Sequence, residues 1–99
     1  MKIITLNVWG GKLYELFIEF IKNKSLETDI FYFQDVLFGS QSEFSPIQHG
    51  RLNLFSEIEN VLVDFNSFVY RDPEESYFHG ELLPQDVGCS QAIFVKKSL

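Results

Sequence analysis

Asn7 and Asp35 are the residues whose types and spacing could do chemistry together. Asn7 closes the apolar stretch Ile3-Ile4-Thr5-Leu6, and Asp35 closes Ile30-Phe31-Tyr32-Phe33-Gln34. A carboxylate and a carboxamide oxygen are hard ligands. They suit Mg²⁺, which takes octahedral oxygens at about 2.1 Å, keeps several waters, and is usually held by one or two protein oxygens plus substrate phosphate. Asn and Asp at strand ends also make turns by bonding their own backbone, so the types alone leave both readings open.

Convergence of the two side chains requires a particular frame. Lys2 to Asn7 reads as a short strand, ended by Val8-Trp9-Gly10-Gly11, where paired glycines mark a tight turn. Lys12 to Lys24 carries Leu13, Leu16, Phe17, Phe20 and Ile21 on one helical face, with Lys22 and Lys24 at the end that suits cations. Asp29 to Val36 is a second strand, and its unbroken apolar run predicts cover on both faces. Strand, helix, strand with short links is a right-handed parallel βαβ unit. Both polar residues then sit at the carboxyl ends of neighbouring parallel strands, where open α/β sheets bind ligands. Alternation sends Gln34 and Asp35 to opposite sides, so only one of them faces that spot.

Further along, Leu37 to Gly50 reads as a long loop. Arg51 to Phe65 reads as a helix with Leu54, Phe55, Ile58, Val61, Leu62 and Phe65 inward. Asn66 to Arg71 is a third strand, a second long loop runs from Asp72 through Val87, and Gly88 to Lys97 is a fourth strand. Loops beyond about 12 residues in so small a domain are either functional rims or packed against another body. A final strand with no partner after it predicts an open sheet edge.

Ninety-nine residues allow one domain at most. Phenylalanine supplies 11 of the 16 aromatics, which calls for a thick apolar interior. A net charge of −6 argues against a chain built mainly to grip nucleic-acid phosphates. It is compatible with a phosphoester held through a divalent metal, which reverses the local field. Cys89 is the only cysteine, so an internal disulfide is impossible, and a small buried hydrophobe is its expected role. Neither a leader nor a run near the ~20 apolar residues of a bilayer span is visible, so the expected location is cytoplasmic.

Three segments in order carry a family resemblance. Ile3-Ile4-Thr5-Leu6-Asn7-Val8-Trp9-Gly10-Gly11 resembles the opening strand of the endonuclease/exonuclease/phosphatase family. Asp29 through Val36 resembles its second signature, a hydrophobic strand ending in Gln, an acid and Val. Gly88 through Lys97 is similar to a later strand, in which a small residue precedes an apolar run and basic residues. The resemblance implies an α/β chain in the order β-α-β-α-β-β, the first half of a four-layered sandwich of the deoxyribonuclease I-like type. Residues 1–99 are then the amino-terminal part of a single domain.

The same resemblance implies a metal-dependent hydrolase of phosphodiester or phosphomonoester bonds, using Mg²⁺ or Mn²⁺. Asp35 would ligate the metal and Asn7 would help position metal or phosphate. The substrate class stays open between nucleic acid, inositol phosphate and phospholipid head group. Two departures stand out. The family's usual acid is Glu, and Asp is one methylene, about 1.5 Å, shorter. The family's Asp-x-Asn pair and its base, in a Ser-Asp-His ending, are absent, which implies a missing carboxyl-terminal half and a chain inactive alone. His49 and His79 sit in loops without the matching context, and Trp9, Tyr70, Arg71, Glu74 and Glu75 are read as structural or solvated. The alternatives are a non-catalytic α/β binding or assembly domain, or a decayed gene product.

Overall fold

The computed structural model describes residues 1–38, 53–70, 77–78, 81–82 and 88–99. Strand β1 (Ile3–Asn7) leads through a 3₁₀ turn at Trp9–Gly11 into helix α1 (Tyr14–Lys24) and strand β2 (Ile30–Phe38). Helix α2 (Leu54–Val61), strand β3 (Phe65–Tyr70), the short strands β4 (Tyr77–Phe78) and β5 (Glu81–Leu82), and strand β6 (Gly88–Lys96) follow. The α/β class and the parallel β1-α1-β2 unit are as expected, with Ile3 opposite Ile30 and Asn7 opposite Gln34.

The main sheet runs β1-β2-β6-β3, and β6 pairs antiparallel to both neighbours. This corrects the open edge expected at the final strand. β6 lies inside the sheet with both flanks paired, and β1 and β3 are its edges. The second long loop is also not wholly loop, because β4 and β5 pair within it. The second helix is shorter at its end. Leu62 leaves the helical region at φ −95°, ψ 58°, and Phe65 opens β3 instead of closing α2.

Both helices cover one face of the sheet. Phe17, Ile18 and Ile21 of α1, Leu54 and Ile58 of α2, and Leu62 just beyond it pack on Phe31, Phe33, Phe65, Ala92 and Phe94. Rings in contact link both helices to β2, β3 and β6: Phe17 meets Phe33 edge-on at 5.2 Å, Phe31 meets Phe65 at 5.5 Å, and Phe55 meets Phe94 at 5.7 Å. Such pairs are worth about 0.5–1.5 kcal/mol each beyond their area. The expected inner face of α1 is partly wrong. Ile18 is buried, whereas Leu13 and Leu16 are 56% and 68% exposed. The apolar arc of α1 is wider than the sheet it covers.

Among the described residues no element covers the other face of the sheet. Pairing and alternation put Ile3, Thr5 and Asn7 there from β1, and Ile30, Tyr32 and Gln34 from β2. Gln91, Ile93 and Val95 of β6 and Asn66, Phe68 and Tyr70 of β3 complete it. Full cover on both faces of β2 is therefore not found. Phe31 and Phe33 are fully buried, while Ile30, Tyr32 and Gln34 are half-buried. None of these twelve residues is charged in a chain that is 22% charged. Charge depletion over a whole face is the compositional mark of a surface meant to be covered.

Candidate functional site

The site lies where β1 ends beside the interior of β2, which continues past Asp35 to Phe38 instead of ending at Val36 as expected. Three consecutive residues after β1 take left-handed backbone: Trp9 at φ 51°, Gly10 at 60° and Gly11 at 89°. Gly10 and Gly11 do this without a Cβ penalty. Trp9 does not, and a left-handed conformation costs a non-glycine residue about 1–2 kcal/mol. Local hydrogen bonds hold it there. The Trp9 amide donates to Asn7 Oδ1 at 2.9 Å, Gly11 N–H donates to the Val8 carbonyl at 2.9 Å, and Lys12 N–H to the Trp9 carbonyl at 3.2 Å. Asn7 therefore makes the turn its residue type allows. One lone pair of its carboxamide oxygen is engaged, and its two amide protons are not used by that bond.

Asp35 sits in a bulge. Phe33 pairs with Ala92 and Val36 with Ser90, so Gln34 and Asp35 together face the single residue Gln91. Asp35 takes φ 59°. Asp is among the few residues that visit this region readily, because its short side chain bonds locally. The strict alternation expected of Gln34 and Asp35 is broken here, since an extra residue re-aims the strand. Beyond the bulge Val36 is again in the core, and Leu37 pairs with Cys89 outside the main cluster, both buried. Cys89 is thus the buried small residue its isolation implied.

Asn7 and Asp35 lie on neighbouring parallel strands at the same end of their pairing. Asn7 is level with Gln34, and Asp35 is one residue further along. Asn7 is exposed and Asp35 half-buried. Asp35 supplies one carboxylate, which is as much protein ligation as a Mg²⁺ ion that keeps most of its waters needs beside a substrate phosphate. Among the described residues no group of three or more His, Cys, Asp or Glu side chains is placed to hold a metal. His49, His79, Arg71, Glu74 and Glu75 lie outside the described residues.

The register adds Gln91 and Tyr32, which sequence reasoning missed, and Tyr70, which it read as structural. Asn7, Gln34, Gln91 and Tyr70 form a row across the face away from the helices, one from each strand. Just below it, the Tyr32 hydroxyl donates to Gln91 Oε1. Tyr70 is 66% exposed at the end of the row. The partnership of Tyr32 and Gln91 spans 59 positions, and no local pattern announces it.

No protein-family model and no curated protein matches the sequence. Solved structures do. An endonuclease/exonuclease/phosphatase from Beutenbergia cavernae DSM 12333 superposes with a TM-score of 0.64 at 11% identity, over 94% of this chain and 25% of its own. An endonuclease/exonuclease/phosphatase family protein from Leptotrichia buccalis C-1013-b superposes with a TM-score of 0.57 at 15% identity, over 96% of this chain and 36% of its own. The chain therefore has the fold of part of these proteins and spans a quarter to about a third of their length.

Proposed function

We propose that this chain is one part of a metal-dependent phosphoester hydrolase, with its remaining catalytic groups supplied by polypeptide outside these 99 residues. The observation that carries the reading is the placement of Asn7, at the end of β1, beside Gln34 and Asp35 of the parallel strand β2, where Asp35 takes a left-handed backbone. The fold likeness to endonuclease/exonuclease/phosphatase proteins supports it. Asp35 is the carboxylate that would hold Mg²⁺ or Mn²⁺. Asn7 has turned its oxygen toward Trp9 N–H, so its amide protons suit a phosphoryl oxygen better than its oxygen suits the metal. A metal bound there would polarise the phosphoryl oxygen and stabilise the leaving oxygen. The protein's own share is to orient the ester between Asn7 and Asp35 and to keep the turn rigid.

His49 and His79 lack the Ser-Asp-His context of a family base, so the general base would come from polypeptide outside residues 1–99. Mn²⁺ titrated into labelled protein should broaden the amide signals around Asn7 and Asp35 first, and Asp35→Asn should abolish that pattern. Broadening confined to other acidic residues would refute the site. The 99-residue chain should show no turnover of bis(p-nitrophenyl) phosphate, and rapid metal-dependent hydrolysis would refute the division of labour.

A second reading, a non-catalytic α/β assembly domain, is favoured by one feature: the ring network closes a core under both helices. It would unfold cooperatively with a midpoint indifferent to Mg²⁺.

A further inference from the structure

The sheet face away from the helices is graded in polarity. Farthest from the candidate site, Ile3, Ile30, Val95 and Asn66 stand side by side across the four strands. The next row is Thr5, Tyr32, Ile93 and Phe68. The row level with the site is Asn7, Gln34, Gln91 and Tyr70, and all four hydrogen-bond without carrying a charge. Asn7, Gln91 and Tyr70 are exposed and Gln34 is half-buried. Burying such groups without partners is costly. The last row therefore suits a ligand that answers its hydrogen bonds, and not the apolar cover that fits Ile3, Ile30, Ile93 and Val95.

We propose that this row holds the alcohol part of the ester, and that the alcohol is an uncharged ring polyol, a sugar or cyclitol with free hydroxyls. The inference rests on the hydrolase reading and names the substrate class of that site. Asn7 holds the phosphoryl group through its amide protons, and Gln34 and Gln91 meet the hydroxyls. Carboxamides suit hydroxyls, since each brings an acceptor oxygen and two N–H donors. The Tyr32 hydroxyl donates to Gln91 Oε1. That bond engages the oxygen and turns the Gln91 N–H groups into donors for ligand oxygens. Tyr70, 66% exposed at the far end, offers an apolar ring face to the C–H side of a sugar. Three strand spacings of about 4.8 Å make the row about 14 Å long, room for a phosphate and one ring.

Other phosphoesters fit the row less well. A nucleic-acid backbone or a polyphosphorylated ring calls for Lys or Arg beside its phosphates. The row has neither, in a chain of net charge −6. A quaternary ammonium head group is held by a cage of aromatic rings, whereas Tyr70 is the sole aromatic of this row.

The probe is glucose 1-phosphate with Mg²⁺, titrated into the isotope-labelled 99-residue chain. Cyclohexyl phosphate is the control, a ring of the same size without hydroxyls. Glucose 1-phosphate should shift the side-chain amide signals of Gln34 and Gln91. It should bind about 10-fold more tightly than cyclohexyl phosphate or thymidine 5′-phosphate, the equivalent of about one hydrogen bond. Inositol 1-phosphate in place of glucose 1-phosphate distinguishes a cyclitol from a sugar, and the same preference for either ring supports the proposal. Gln91→Leu should remove the preference. Tyr32→Phe, which keeps the aromatic ring and releases Gln91, should weaken it while the far-UV spectrum is kept. Equal binding of all the esters, no amide shift with any of them, or a preference that survives Gln91→Leu overturns the proposal. Mn²⁺ broadening around Asp35 without this preference rejects the polyol and leaves the hydrolase reading standing.

Discussion

At Asp35 backbone and chemistry make different demands, and substitutions can separate them. Its φ of 59° is a conformation that Asp and Asn share and Glu does not. Asp35→Asn should leave stability within ~0.5 kcal/mol in urea unfolding while removing any metal response. Asp35→Glu should lower stability by about 1 kcal/mol, whatever it does for metal reach. Asn7 can be divided in the same way. Asn7→Asp keeps an oxygen for Trp9 N–H and should hold the turn, whereas Asn7→Leu loses that bond and about 1 kcal/mol. Away from the site, Thr28 is fully buried, and its Oγ1 has no hydrogen-bond partner among the described residues. A buried hydroxyl without a partner is destabilising, so Thr28→Val should raise the unfolding free energy by about 1 kcal/mol.

Elements formed by near neighbours were legible, and those formed by distant partners were not. The β1-α1-β2 unit follows from periodicity and short links, and so does the placement of Asn7 beside Gln34 of β2. The bulge at Asp35 could not be read, because it exists only against Gln91, whose register is set 56 positions away. The buried half of α1 was missed for a related reason. Leu13, Leu16, Phe17, Ile18, Phe20 and Ile21 make an arc too wide to say which half the sheet would take. The link between β1 and the end of α1 gives a prediction of its own. Glu27 accepts from Lys2 and Lys24 at 2.8 and 3.2 Å, and these bonds, Lys2 first, hold its carboxyl below its ordinary 4.5. A depressed folded value means the contribution is present above about pH 4.5 and is lost as pH falls through the lower folded value. Glu27 is fully exposed, so the loss should be small, reduced further by salt, and absent in Glu27→Gln. Thermal midpoints between pH 5 and pH 3 would check it.

Among the described residues, helices protect one face of the sheet, while the strand residues of the other face are polar at one end, apolar elsewhere and uncharged. Phe68 and Tyr70 are 61% and 66% exposed there, and Ile93 is 37% exposed. Phe68→Lys should leave the fold intact and reduce concentration-dependent association in light scattering, since it breaks a sticky patch without touching the core. The central position of β6 governs the order in which the sheet can be built. β2 and β3 do not touch as strands. Each waits for β6 to come between them, yet β6 follows the other three strands of the sheet in the chain. The half-sheets β1-β2 and β3 must therefore stay unjoined until residues 88–96 arrive, with long chain closures made late. Folding should be slow for a domain of this size, and a nascent chain halted before Gly88 should have no cooperative transition at all.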